Sequence, residues 1–492
     1  MSETVETGRI TTDIPARMDR LPWAKWHWLV VIGLGTVWIL DGLEVTIVGS
    51  MSDALKPGST GLGMSSSQIG FAGASYVAGA CLGALFFGQL TDRFGRKKLF
   101  LLTLGVYSIA TVLTAFSMNP MWYFGARFLT GTGIGGEYAA INSAIDELIP
   151  AKFRGRVDIA INGSFWVGAA AGSLLTIPLL DPNVIDQGIG WRLAFGLGAI
   201  LAVGILLVRR NVPESPRWLF IHGREEEGEA IVRDIERTVS EESGGELAKV
   251  SETITIRQRR TISLPEIART VFTLYPKRTV LCFSLFVGQA FLYNAFFFTY
   301  GDSLSTFFGV KQTGWYIAVF AVSNFAGAML LSPLFDRIGR VQMITATYLL
   351  SGVMLGVAGF FLSGFNAITL TIMGTVVFFF ASAGASAAYL TASEVFPMET
   401  RALCIAFFYA LGTAAGGIAG PLLFGKLIDS AKQDHDITRL AVGYFIGAAL
   451  MIGGGLVEAF LGVRAEGQSL ENIAKPLTAE DAGGGRTSPQ PA

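Results

Sequence analysis

Charge is scarce in this chain. Lys, Arg, Asp and Glu make up 15% of its 492 residues, where a water-soluble domain carries about 25%, so there is too little polar surface to cover the chain in water. Lipid must be its solvent. Neither sign is in excess: 37 basic against 38 acidic side chains give a net charge of −1, which excludes a nucleic-acid backbone as the main partner. Cysteine is nearly absent. Cys81, Cys282 and Cys404 lie far apart inside apolar runs, a spacing that supports neither a disulfide framework nor a zinc site, and no metal or other cofactor is expected. The three histidines, His27, His222 and His435, fall outside the apolar runs. Proton chemistry at membrane depth is therefore left to carboxylates. No Gly-x-x-x-x-Gly-Lys-Ser/Thr phosphate loop occurs, so energy for work must come from a gradient. With no nucleophile and base pair at depth, an enzyme is not expected.

What is abundant is apolar sequence, 51% of the chain. Segments of about 20 apolar residues, the length of a membrane-spanning helix, recur near 28–50, 69–90, 99–117, 121–145, 157–180 and 191–208. Six more follow near 279–300, 314–335, 342–362, 367–392, 402–428 and 438–462. The pattern predicts an all-α polytopic membrane protein of twelve transmembrane helices in two six-helix bundles, 28–208 and 279–462. A tail (1–27), a linker (209–278) and a second tail (463–492) are polar. With both termini cytoplasmic, 30 of the 37 Lys and Arg fall on the cytoplasmic side, 13 of them in the linker, as the retention of positive residues requires. The first 27 residues lack the short apolar core of a signal peptide. An amphipathic stretch at Glu225–Ile235 and a Ser-Gly-Gly break at 243–245 predict short surface helices in the linker.

The two halves echo each other. Asp92-Arg93-Phe94-Gly95-Arg96 returns 244 residues later as Asp336-Arg337-Ile338-Gly339-Arg340, and Glu147-Leu-Ile-Pro150-x-x-x-Arg154 returns 247 residues later as Glu394-Val-Phe-Pro397-x-x-x-Arg401. Two echoes at nearly one offset imply duplication. Six helices is an even number, so the copies insert in parallel, an arrangement found in secondary transporters. Gly131-x-Gly133-x-x-Gly136 matches a dinucleotide fingerprint but lies within an apolar span rather than between a strand and a helix start. These glycines, like Gly412, Gly416 and Gly420, suit close helix packing.

At these residues a family resemblance emerges. Gly88-x-Leu90-x-Asp92-Arg93-x-Gly95-Arg96-Lys97-Lys98 resembles the loop signature of the major facilitator superfamily, and Pro213-Glu214-Ser215-Pro216-Arg217-Trp218-Leu219 resembles that of its sugar-porter branch. The Glu-x-x-Pro-x-x-x-Arg pair and Gly467-x-Ser469-Leu470-Glu471 fit the same branch, so the likeness covers about residues 28–473. It implies two bundles rocking between inward-open and outward-open states. It also implies a gating role at the cytoplasmic face for Gly88, Asp92, Arg93, Gly95, Arg96, Glu147, Arg154, Glu214 and Arg217, and for Asp336, Arg337, Arg340, Glu394 and Arg401 in the second half. Anchoring and topology are the plainer role of such charges.

Charges inside spans cost about 2.5–3.5 kcal/mol each on insertion scales, so four of them need a reason. Asp41 and Glu44 share one face of the first span, and the fourth holds Arg127 and Glu137. Asp41-Gly42-x-Glu44 resembles the Asp-Gly-x-Asp of metabolite and aromatic-acid proton symporters. In proton-coupled sugar porters a helix 1 Asp faces a helix 4 Arg that lies twenty residues before the loop Glu, the position of Arg127 here; the resemblance thus implies an Asp41–Arg127 coupling pair, a static ion pair being the alternative. For substrate, Gly288-Gln289-x-x-x-Tyr293-Asn294 stands where sugar porters carry a Gln-Gln-x-x-Gly-x-Asn run, Asn162 stands at an amide position, and Tyr389 stands where many have Trp. The expected function is proton-coupled symport of a small sugar, polyol or organic acid across the plasma (cell inner) membrane. Its partners are that solute, protons and the bilayer, with no required protein partner. A uniporter or a transporter-like nutrient receptor is the alternative.

Overall fold

The computed structural model describes residues 7–57, 61–209, 213–250, 252–258, 269–397, 400–434 and 436–474. Helices α2 (Lys25–Ser50), α3 (Ser66–Phe94), α4 (Arg96–Ala115), α5 (Pro120–Leu148), α6 (Arg154–Gly163), α7 (Phe165–Leu179) and α8 (Gln187–Arg209) come first. After the linker follow α11 (Pro276–Phe308), α12 (Gly314–Arg337), α13 (Arg340–Phe360), α14 (Ala367–Glu394), α15 (Arg401–Gly412), α16 (Ile418–Asp434) and α17 (Ala441–Leu461). Among the described residues, ten helical rods are long and apolar enough to cross a membrane. Large apolar side chains such as Leu29, Ile109, Leu330, Phe360 and Phe460 are exposed around them, a belt that only lipid would cover favourably.

Helix starts are written in the sequence. Ser65, Asn119 and Asn366 each accept a hydrogen bond from a backbone N–H of the following helix, from Gln68, Trp122 and Thr369 respectively, which satisfies one of the free donors at a helix start. The duplicated loop motif builds the same joint twice. Gly95 between α3 and α4 and Gly339 between α12 and α13 have φ of +92° and +120°, a region open to glycine and strained for other residues.

Two rods are interrupted. Ser164 separates α6 from α7 and donates to the carbonyls of Gly35 (3.0 Å) and Ile161 (2.6 Å), while a π-helical stretch, Thr413–Gly417, joins α15 to α16. The glycine runs serve packing as expected: a Cβ on Gly131 or Gly135 would lie 2.0 Å from the Tyr76 carbonyl or 1.9 Å from that of Ala80, and one on Gly416 would lie 2.3 Å from that of Val287. None borders a phosphate-binding strand.

The polar segments are more ordered than their composition predicts. Helix α9 (Pro216–Ile221) and α10 (Glu225–Ser243) form in the linker, and α10 stops at Gly244 with φ +69°. Strand β1 (Thr7–Thr12) of the N-terminal tail pairs antiparallel with β2 (Ile254–Gln258) of the linker, and α1 (Ile14–Asp19) follows β1. The side of the molecule that holds these elements is called the linker end below.

Candidate functional site

Asp41, Glu44, Arg127 and Glu137 are all buried. Arg127 Nη1 donates to Glu44 Oε1 in an ion pair, and its guanidinium lies over the Tyr76 ring, 4.5 Å from the centroid. The expected Asp41–Arg127 pairing does not occur. Helix rise explains why: Glu44 is six residues from the far end of α2 and Arg127 seven from the far start of α5, depths of about 9 and 10.5 Å at about 1.5 Å per residue, whereas Asp41 lies about 13.5 Å in. Asp41 instead has Glu137 and Glu44 within electrostatic reach, and its Oδ2 has no hydrogen-bond partner among the described residues.

Beside these groups, between the first and second sets of rods, lies a cavity of about 130 Å3. Its polar wall comprises Asn162 of α6, Gln289, Tyr293 and Asn294 of α11, Ser382, Ser386 and Tyr389 of α14, and Thr413. The five residues expected at the substrate site thus lie in one cavity. Asn294 Nδ2 donates to the Ala290 carbonyl (2.9 Å) and Asn162 Nδ2 to that of Asp158 (2.9 Å), bonds that anchor each amide to its own helix. The Tyr293 hydroxyl donates to Asn324 Oδ1 at 3.1 Å. Gln289 has no hydrogen-bond partner among the described residues, which leaves its amide to a ligand.

Aromatic rings make the remaining wall, and sequence reasoning missed most of them. Trp38 stacks on Tyr138 (4.6 Å, 12°), Tyr138 meets Tyr409 edge-on (4.9 Å, 90°), and Tyr389 lies 6.0 Å from Trp38. Trp166, 5.5 Å from Tyr293, closes the other side. Trp38 is one turn from Asp41 and Tyr138 follows Glu137, the one local signal available. Asp41 acts electrostatically on Tyr76, Tyr138, Tyr389 and Tyr409, so a charge change there is felt by the cavity wall.

The two sets of rods meet at both ends of this cavity. At the linker end Arg340 forks onto Glu394 (3.1 and 3.2 Å) and reaches Asp336 at 2.6 Å. Asp336 accepts the backbone N–H of Arg156 across the interface at 3.0 Å. Gly88 of α3 approaches α15, where a Cβ would lie 2.9 Å from that of Ala406. Arg337 is exposed and joins no ion pair among the described residues, whereas Arg340, three positions on, is the arginine of the repeated motif that carries the contacts.

In the first half, Glu214 Oε2 accepts the Lys97 N–H at 3.2 Å and lies 2.7 Å from where a Gly95 Cβ would be, while Glu147 accepts from the Ser215 hydroxyl. Arg154, Arg217 and Arg401 are buried. The side chains of Asp92, Arg93 and Arg96 lie outside the described residues. Two acids unmarked by the motifs complete the network. Glu466 mirrors Glu214, accepting the Arg340 N–H at 3.4 Å. Asp19 receives Arg154 at 3.1 Å and lies 3.9 Å from Arg217.

The N-terminal segment is held by further charges: Arg17 meets Glu229 at 2.9 Å and Glu236 at 2.6 Å, and Arg20 also pairs with Glu236. Burial pushes the Glu236 carboxyl up, and the hydrogen bonds and charges of Arg17 and Arg20 outweigh it, leaving it below the usual range. At the opposite end Lys56 bonds Asp302 at 2.5 Å, and Asp429 accepts the Ser67 N–H at 2.9 Å. Gly301 packs where a Cβ would lie 2.4 Å from the Gly49 carbonyl. Contacts between the same two sets of helices thus lie towards each end of the cavity.

Known proteins share this architecture. The pattern of the sugar (and other) transporter family matches residues 26–476. The chain is 28% identical over 477 residues to the niacin transporter NiaP of Acinetobacter baylyi, covering 94% of this chain and 99% of that one. It is 27% identical over 485 residues to myo-inositol transporter 2 of Schizosaccharomyces pombe, covering 92% and 82%. The solved structure of the proton:xylose symporter XylE bound to 6-bromo-6-deoxy-D-glucose superposes with a TM-score of 0.72 at 19% identity, over 91% of this chain and 98% of that one. Relatives and family alike are membrane transporters and not enzymes, and the chain belongs to the sugar (and other) transporter family of the major facilitator superfamily.

Proposed function

We propose that the protein is a proton-coupled symporter of a small, ring-sized polar solute. In this reading twelve helices span the cell inner membrane, the bundles 28–208 and 279–462 rock about the central cavity, and the linker end with both termini is cytoplasmic. The observation that carries the coupling is the placing of Asp41. Glu44 already takes the charge of Arg127, so an ionised Asp41 would add an uncompensated charge beside Glu44 and Glu137, in surroundings where charge is poorly solvated. A proton on Asp41 in the closed state removes that conflict, and opening to water lets it leave. The resulting change of charge reaches the tyrosines around the solute.

The cavity supports the choice of solute. At about 130 Å3 it approaches the size of a cavity that takes up one benzene molecule, about 150 Å3. Flat aromatic walls favour a planar or ring-shaped body, and Gln289, Asn294 and Asn162 supply hydrogen bonds for hydroxyl or carboxylate groups. Relatives named for niacin, myo-inositol and xylose represent the acid, polyol and sugar forms of such a solute. The test is uptake of radiolabelled nicotinate, myo-inositol and xylose into vesicles containing the purified protein, with and without an inward proton gradient. Accumulation of one of them only with the gradient supports symport, whereas equal final levels under both conditions would establish a uniporter.

A further inference from the structure

A second cavity, about 340 Å3, opens at the linker end and has a different chemistry. Trp23, Trp28 and Val31 form one wall, Arg156 and Val157 of α6 another, and Ser332 of α12 the third. It therefore straddles the seam between the two sets of rods, next to the bond from Arg156 N to Asp336. Trp28 is 54% exposed beside the exposed Leu29 and Ile32, so the groove opens towards the apolar belt. Trp23 packs edge-on against Phe153 at 5.4 Å. Arg156 is exposed and lies over the same Phe153 ring at 4.4 Å. Lys152 approaches that ring at 5.6 Å, and among the described residues no acidic side chain lines the groove. The Arg156 guanidinium has no ion-pair partner among the described residues.

We propose that this groove is a binding site for an anionic phospholipid of the cytoplasmic leaflet, with the phosphate on Arg156 and the glycerol and upper acyl chain against Trp23, Trp28 and Val31. The leaflet follows from the orientation proposed above; the site itself does not depend on transport. Tryptophans settle at the headgroup level of a bilayer, basic pockets between spanning helices on the cytoplasmic side take anionic headgroups, and the guanidinium fork matches phosphate geometry. A soluble peptide is the weaker fit, because the groove mouth faces the apolar belt. Since α6 and α12 each supply a wall, parting them dismantles the site. A bound lipid therefore favours the state in which the linker end is closed.

The test is native mass spectrometry of the full-length protein released from micelles supplemented with phosphatidylglycerol or phosphatidylcholine. Phosphatidylglycerol should be retained selectively, and Arg156→Gln should weaken that retention about fivefold, the effect of one basic residue near the lipid surface. Arg233→Gln, on the exposed face of α10, should not. Trp28→Ala should lower retention of phosphatidylglycerol independently of charge. In vesicles of phosphatidylcholine and phosphatidylglycerol at 4:1, labelling of a cysteine placed inside the linker-end seam should fall relative to pure phosphatidylcholine, and Arg156→Gln should abolish the difference. Equal retention of the two lipids, unchanged retention in Arg156→Gln, or full displacement by millimolar inorganic phosphate would overturn the proposal.

Discussion

Replacing Asp41 and Glu44 one at a time separates coupling from architecture. Asp41→Asn keeps the shape of the side chain and imitates its protonated form between two acidic neighbours, so the folded protein should lose no stability. Glu44→Gln strips the carboxylate from a fully buried Arg127. Breaking a buried pair from one side costs about 3–5 kcal/mol, enough to lower the heating midpoint of the folded monomer measured by size-exclusion chromatography. Transport should show the opposite ranking. A proton gradient of about 1.5 pH units is worth about 2 kcal/mol per proton, which supports a roughly 30-fold accumulation of solute at one proton per cycle. Wild-type vesicles should approach that ratio. Asp41→Asn vesicles should exchange internal for external labelled solute but settle at a ratio near one. Accumulation by Asp41→Asn equal to wild type under the same gradient would refute the assignment and return coupling to the Glu44–Arg127 pair.

Three further outcomes are expected. Ala at Gln289 or at Asn294 should weaken solute binding by about 0.5–3 kcal/mol, the range for losing a hydrogen bond to a buried ligand, as read by calorimetry on folded protein; unchanged affinity in both would move the site off α11. Asp336→Asn loosens both Arg340 and the Arg156 backbone, so thiol labelling at the linker end should rise a few-fold while labelling at the opposite end falls. Glu236 is held below its usual range, so its pairing with Arg17 and Arg20 stabilises docking of the N-terminal segment at pH values above the ordinary glutamate range; that contribution is lost as pH falls through the lowered value. Protection of residues 14–20 against hydrogen exchange, taken relative to the intrinsic exchange rate at each pH, should fall on acidification, and less so in Glu236→Gln.

Much of this was legible because periodicity and turn chemistry are local. Gly95 and Gly339 each occupy a left-handed joint that only glycine enters freely, so the duplicated motif reveals itself without any structure. Asn162, Gln289 and Asn294 stood out as amides that need partners at membrane depth, Tyr293 and Tyr389 only through the resemblance to sugar porters, and three different helices bring the five to one cavity. The pairing of Arg127 was not legible. It depends on the depth at which α5 starts relative to α2, and a shift of one helical turn exchanges Asp41 for Glu44. Trp38, Tyr138, Tyr409 and Trp166 carry no signal of their own, since an aromatic ring in an apolar span is equally suited to lipid and to a cavity wall. Asp19 and Glu466 lie in polar tails, where no repeating pattern marks the residue that will dock.

The contacts at the two ends of the cavity differ in construction, and that difference bears on the rocking motion proposed above. At the linker end the charges are layered: Asp336 joins Arg340 to the Arg156 backbone, Glu394 and Glu466 hold Arg340 from two more sides, and Asp19 ties the N-terminal segment to Arg154. Most of these bonds lie within one set of rods and stay intact when the sets part. Only those that cross the seam, such as Asp336 to Arg156, have to break. At the opposite end the crossing bonds are themselves the closure, Lys56 to Asp302 and Ser67 to Asp429, with Gly49 against Gly301. Asp302 is buried and Lys56 largely so, so in the proposed cycle that face opens cheaply only where entering water or solute solvates both charges as their bond breaks. In the proposed rocking motion the layered charges would keep Arg340 and Asp336 in register for reclosure, and the few crossing bonds would set how often the seam opens.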